Sequence, residues 1–162
     1  MFYAMWAGLL GLLMVFFNGV LERQYNPNRA LSYEPGEGGV REVTLERNRF
    51  NHYVATGAIN GVETVFMLDT GASDISVPAH LAKKLGLKRG AQITYQTANG
   101  PAPGYLTELD SVSLGPIGLR GVRASINPNV SNDEVLLGMS FLKHLEFTQR
   151  GDTLTLRQYP GQ

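Results

Sequence analysis

From Met1 to Leu21 the chain carries no charged side chain, and Glu22 is the first. The run includes Leu9, Leu10, Leu12, Leu13, Met14, Val15, Phe16 and Phe17. As a helix it rises about 30 Å, the thickness of a bilayer core. It is also too long and too uniform for an ordinary buried core helix. Tyr3 and Trp6 stand near one end, where interfacial aromatics are favoured. The competing reading is a cleaved signal peptide, which needs a basic n-region and a small-x-small cleavage site. No Lys or Arg precedes the run, and Phe17-Asn18-Gly19 is a poor site. Residues 1–21 are therefore expected to form an uncleaved anchor, touching the membrane through residues 2–21. Arg23 and Arg29 follow it, so the positive-inside rule alone places the rest of the chain in the cytoplasm, a bias that Glu22 partly offsets.

Residues 22–39 read as a flexible linker. Asn26-Pro27-Asn28 and Glu34-Pro35-Gly36-Glu37-Gly38-Gly39 lack hydrophobic periodicity and are full of chain breakers. A folded domain is expected over 40–162. Fourteen basic and fourteen acidic residues cancel across the 162-residue chain, which leaves no reason to expect a nucleic-acid partner. The chain has no cysteine, so disulfides, thiol catalysis and cysteine-ligated zinc fall away together.

The domain reads as short strands separated by turn signals. Two apolar runs, 52–59 and 62–68, flank Asn60-Gly61, the strongest short hairpin signal because both turn residues must accept positive φ. Further strands are expected over 92–98, 105–114, 119–126 and 135–137, with a closing hairpin of 147–149 and 153–156 around Gly151-Asp152. Pro78 to Leu85 reads as a short helix with Pro78 in its first turn, Leu81 and Leu85 on one face and Gly86 ending it. Met139 to Leu145 reads as a second short helix. The pattern predicts a small, mostly β barrel.

The chemistry concentrates in Phe66-Met67-Leu68-Asp69-Thr70-Gly71-Ala72-Ser73. An apolar strand runs straight into an aspartate, a poor strand residue whose carboxylate is costly at a buried strand end unless hydrogen-bonded or paired. Taken alone, Asp69 reads more readily as the start of an Asx-turn after a strand. His52, His80 and His144 are scattered without metal-ligand spacing, Ser73 and Ser76 lack a nucleophile-elbow context, and no glycine-rich phosphate loop precedes a helix. No metal and no cofactor are expected.

The wider pattern resembles the aspartic peptidases. Asp69-Thr70-Gly71-Ala72-Ser73 after a hydrophobic strand looks like their active-site motif. Leu136-Leu137-Gly138 occupies the place of their second element, two hydrophobic residues and a glycine. Between them lies a candidate flap, Ile93 to Tyr105, with Asn99-Gly100-Pro101 near its tip. The chain is similar to the bacterial, membrane-anchored retropepsin-like subgroup with an Asp-Thr-Gly-Ala motif. That resemblance implies a small closed retropepsin-like barrel with one or two short helices after the transmembrane helix. It also implies an aspartic endopeptidase acting on polypeptides. Two such carboxylates held close cannot both ionise readily and share one proton, one activating water and the other donating to the scissile carbonyl. One Asp-Thr-Gly occurs here, and about 120 residues is too short for two lobes. A homodimer with Asp69 from each subunit is therefore expected.

By the same resemblance Thr70 locks the dimer, Gly71 offers its carbonyl to substrate and Ala72 keeps the loop compact. Ser73 stands where many retroviral enzymes have a second aspartate. Leu136, Leu137 and Gly138 support the loop; for the leucines an ordinary core role holds equally. Tyr95 and Tyr105 read equally well as flap contacts and as cross-strand packing. Lys83-Lys84 and Lys88-Arg89 read as a solvated face. Self-processing within the linker is a further expectation, and the subgroup's usual position suggests the inner membrane with the domain in the periplasm. The rival is a catalytically silent, membrane-anchored peptide-binding or dimerisation module on the same fold.

Overall fold

Asn60 and Gly61 turn the chain at φ of 50° and 77°, the left-handed pair that a two-residue hairpin needs. The strands they join, β2 (Val54–Ile59) and β3 (Val62–Leu68), pair antiparallel from Ile59↔Val62 to Val54↔Met67. The computed structural model describes residues 2–31, 37–97 and 100–161. Two further strands precede and follow this hairpin where the sequence reading has none. These are β1 (Arg41–Glu46) and β4 (Ile75–Pro78). The remaining elements are α2 (Ala79–Ala82), β5 (Gln92–Thr97), β6 (Gly100–Leu114), β7 (Ile117–Asn127), β8 (Glu134–Leu137), α3 (Met139–Leu142), β9 (Glu146–Arg150) and β10 (Thr153–Gln158).

The protein is mostly β, as the turn spacing predicts. Strands β2-β3-β8-β4-β7-β6 lie side by side, and Ala58↔Ser113 with Ile59↔Val112 pairs β6 back to β2, closing a six-stranded barrel. β3–β8 and β4–β7 are parallel pairs, so β3 and β8 run together to the same end of the barrel. β5 folds onto the start of β6 as an appended hairpin. A second sheet, β1-β10-β9, packs beside the barrel. Alternation fills the shared core: β10 buries Leu154, Leu156 and Gln158 and leaves the residues between them partly exposed. Phe66, Phe141, Leu45, Ile59, Leu109 and Leu137 are among the fully buried side chains.

The expected helix over 78–85 is shorter, because Pro78 closes β4 and α2 then occupies Ala79–Ala82. Leu85 still reaches the core and Leu81 packs against it, so their shared face is as expected. Gly86, at φ 71°, ends the turn that follows.

At the N-terminus, α1 (Phe2–Tyr25) continues four residues past Leu21. Its apolar side chains from Met5 to Leu21 are largely exposed, and it is long and apolar enough to cross a membrane by length and composition. The segment after it differs from a flexible linker at its near end. Asn26 and Asn28 are buried, and Asn28 adds a parallel bridge beside Ala55 of β2. The sequence hides this because its cause is a set of side-chain amides meeting backbone carbonyls 18 and 26 positions away and a hydroxyl 30 positions away. Residues 32–36 of the expected linker lie outside the described residues.

Candidate active site

β3 delivers Asp69 to the barrel end where β8 also finishes. Leu68 pairs with Leu137, and the Asp69 amide donates to the Leu137 carbonyl at 3.2 Å. The chain then turns tightly: the Gly71 amide donates to Asp69 Oδ1 at 2.8 Å and the Ala72 amide to the Asp69 carbonyl at 3.2 Å. The local Asx-turn is therefore realised at Asp69. Asp69 is partly exposed, and Thr70, Gly71 and Ser73 are exposed.

The second element locks this loop from behind. Met139 donates its amide to the Ala72 carbonyl at 2.8 Å and Ser140 to the Ser73 carbonyl at 2.9 Å. The buried Ser140 hydroxyl accepts from the Ile75 amide at 3.0 Å. The two backbones meet so closely that a Cβ on Gly138 would lie 2.3 Å from the Asp74 carbonyl oxygen and 2.6 Å from that of Ala72. Glycine is required here by contact, not by torsion, since its φ is −92°. Leu136 and Leu137 are the strand that carries it, with Leu137 fully buried. The structure thus brings together Asp69 to Ser73 and Leu136 to Gly138.

The hairpin of β5 and β6 covers this loop. Its register runs from Gln92↔Tyr105 to Thr97↔Gly100, so the segment expected as a flap is a hairpin, with β6 beginning closer to the tip than anticipated. Pro101 and Pro103 lie within β6 where β7 has not yet joined, the sheet-edge position that proline tolerates. Gly100 lies at φ 101°; Asn99 lies outside the described residues.

The two tyrosines separate clearly. Tyr105 sits under the Arg89 guanidinium, 5.0 Å from its ring centroid, as a packing residue. Tyr95 reaches inward and donates its hydroxyl to Asp74 Oδ2 at 3.1 Å. Its ring fills the space a Gly104 side chain would take, at 2.9 Å. Burial pushes the Tyr95 phenol above its ordinary value, with Asp74 adding to the rise against the Ser125 hydrogen bond and Arg123.

Asp74 itself is the residue the sequence reading passed over. It is 7% exposed, and Arg123 of β7 donates Nε and a terminal nitrogen to the same oxygen at 3.1 and 3.0 Å. Its partners lie 21 and 49 positions away, so no local pattern points to them.

Between loop and flap is a cavity of about 390 Å³ lined by Asp69, Gly71, Asp74, Tyr95, Pro103 and Asn127 among others. On the other side of Asp69 and Thr70, a second cavity of about 400 Å³ is walled by Tyr53, Leu142, Phe147 and Leu156. Among the described residues no group of three or more His, Asp or Glu side chains is arranged to hold a metal. His52, His80 and His144 are exposed, and His80 pairs with Asp133 at 2.8 Å.

Comparison with known proteins fits this arrangement. Residues 55–144 match the family described as "gag-polyprotein putative aspartyl protease". An uncharacterised protein from the cobV 5′ region of a Sinorhizobium species is 37% identical over 81% of this chain. An uncharacterised protein of Rickettsia prowazekii (strain Madrid E) is 30% identical over 88% of it. The chain spans 58% and 64% of those two relatives' lengths. The crystal structure of a retropepsin-like aspartic protease from Rickettsia conorii superposes with a TM-score of 0.62 at 34% identity. That match covers 80% of this chain and 96% of the other. With the motif at the end of β3, its glycine lock on β8 and the barrel that joins them, this chain belongs to the retropepsin-like aspartic proteases.

Proposed function

We propose that the protein is a membrane-anchored aspartic endopeptidase that is active as a homodimer. The observation that carries this is a partly exposed Asp69 fixed at the rim of a flap-covered cleft, with its carboxylate oriented by the Gly71 amide. One chain supplies one such carboxylate. A two-fold partner would bring the second Asp69 close enough for the pair to share a proton, one acid and one base on either side of a water. The exposed Thr70 hydroxyl makes no hydrogen bond among the described residues, which suits a bond across that axis. Phe147, 44% exposed beside Thr70, and the wholly exposed strand β9 offer apolar and edge surface on the same side.

In this reading Gly71 presents its carbonyl to an extended polypeptide, Ala72 keeps the loop compact, and the β5–β6 hairpin closes over the substrate as an added strand. α1 anchors the enzyme, with the domain on the periplasmic side of an inner membrane, and the linker over 22–39 is a self-processing target. The test is full-length protein in nanodiscs, incubated with a mixed peptide library beside Asp69→Asn. Cuts made by the first and absent from the second, from folded samples of equal oligomeric state, establish the activity. Equal product patterns, or none from a folded dimer, replace it with the silent binding module.

A further inference from the structure

Resting on the reading of α1 as a membrane anchor, we infer that the catalytic domain is seated directly on the lipid surface. It is held there by a clasp of three buried asparagines, with the loop 48–52 as its lipid contact. The clasp is complete in its hydrogen bonds. Asn28 donates its side-chain amide to the Glu46 and Val54 carbonyls at 2.9 and 2.8 Å and accepts from the Glu46 amide at 2.7 Å. Asn26 donates to the Thr56 hydroxyl at 2.9 Å and accepts from the Asn28 amide at 3.1 Å. Asn48 donates to the Tyr25 carbonyl, in the last residue of α1, at 2.8 Å. Its oxygen gathers the Phe50 and His52 amides at 2.9 and 3.0 Å. Three residues past the helix end, Asn28 is already paired beside Ala55 of β2.

The clasp brings one loop up beside the helix. The Phe50 ring is 52% exposed and 6.2 Å from the Tyr25 ring. The Arg49 guanidinium stands 5.1 Å from the Phe50 centroid and donates to Gln24 at 2.9 Å. Gln24 lies three residues beyond Leu21, the end of the apolar run, or about 4.5 Å along the axis. Arg23 and Arg49 form no ion pair among the described residues. An exposed aromatic wedge, an aromatic at the helix end and uncompensated cations at headgroup depth match an anionic lipid interface.

The same strand sets the height of the cleft. Asn28 grips the carbonyl of Val54, which pairs with Met67, two residues before Asp69. One strand across and two residues along is about 8 Å. The cleft therefore opens at the clasped end of the barrel, and the substrates within reach are polypeptide segments close to the bilayer.

The cysteine-free chain permits single-cysteine spin labelling of the full-length protein in nanodiscs containing anionic lipid. Labels go at Leu12→Cys in α1, Phe50→Cys in the loop, and Lys84→Cys near the far end of β2. Collisions with oxygen and with a water-soluble nickel chelate report depth. The label at 50 is expected about 5–10 Å into the interfacial boundary, with 12 in hydrocarbon and 84 in water. Adding Asn28→Ala and Asn48→Ala should move 50 into water and leave 12 in place. A label at 50 as aqueous as the one at 84, with 12 still in lipid, overturns the seating and leaves the anchor intact. An aqueous label at 12 overturns the anchor reading and the seating with it. A label at 50 that stays at depth in the double variant overturns the clasp as its cause.

Discussion

Replacing Gly138 by alanine tests how the Asp69 loop is held. The added Cβ would stand 2.3 Å from the Asp74 carbonyl oxygen, 2.6 Å from that of Ala72 and 2.9 Å from the Asp74 carbonyl carbon. All three are backbone atoms, so no rotamer change relieves them, and the loop must retreat by roughly 1 Å to reach van der Waals separation. Overpacking of this kind costs about 1–3 kcal/mol. The retreat also stretches the two hydrogen bonds that close the loop, Met139 to Ala72 and Ser140 to Ser73, each worth about 1 kcal/mol. The sum is about 3–5 kcal/mol, or roughly 10–20 °C in melting temperature for a domain of this size. A shift of about 1 Å at a reacting group costs on the order of 100-fold in rate. The assay pairs urea unfolding with peptide cleavage. Gly118→Ala is the control, since a Cβ there would meet nothing nearer than the Val112 carbonyl oxygen at 3.7 Å. If Gly138→Ala unfolds within about 0.5 kcal/mol of the parent and cleaves at the same rate, the glycine lock is refuted.

Tyr95→Phe removes one of three donors to the Asp74 oxygen. It should lower stability by about 1 kcal/mol and raise KM for peptide more than it lowers kcat, which steady-state kinetics on the folded variant will show. Burial raises the Glu134 carboxyl pKa, and its Oε2 atom has no hydrogen-bond partner among the described residues. Because the folded value lies above the unfolded one, this group favours folding below the ordinary carboxylate range, and that contribution is lost as pH rises through the raised value. Glu134→Gln should therefore melt higher than the parent near pH 7 and much less so near pH 4; an equal difference at both pH values refutes the assignment. Asn28→Ala strips partners from three backbone groups and should cost about 2–4 kcal/mol by urea unfolding, a loss that Asn28→Asp should only partly restore.

The first hairpin was legible because its instructions are local. Asn60-Gly61 accepts positive φ, the runs on either side are apolar, and β3 has the expected bounds. The motif pair was legible for a related reason: a carboxylate, a glycine and two small residues after an apolar strand cannot be ordinary strand sequence. β1 and β4 were not. β4 has four residues, ends in Pro78, and owes its existence to a parallel partner, β7, some 49 residues on; proline in that position also reads as a helix start. Asp74 looked like one more polar turn residue until folding set Arg123 and Tyr95 against it. Asn26 and Asn28, beside a proline, carry the composition of a loose tether. They become a rigid joint because the Asn28 amide meets backbone groups of β1 and β2, and the Asn26 amide the Thr56 hydroxyl, that no pattern along the chain places near them. The sequence by itself determined the apolar helix, the hairpins and the segments that meet at Asp69, since each depends on torsion, periodicity or hydrophobicity within a few residues. Tertiary structure decided the barrel closure, the Asp74 cluster, the glycine contact and the asparagine joint, because each is a meeting of groups whose free energy exists only after distant strands have paired.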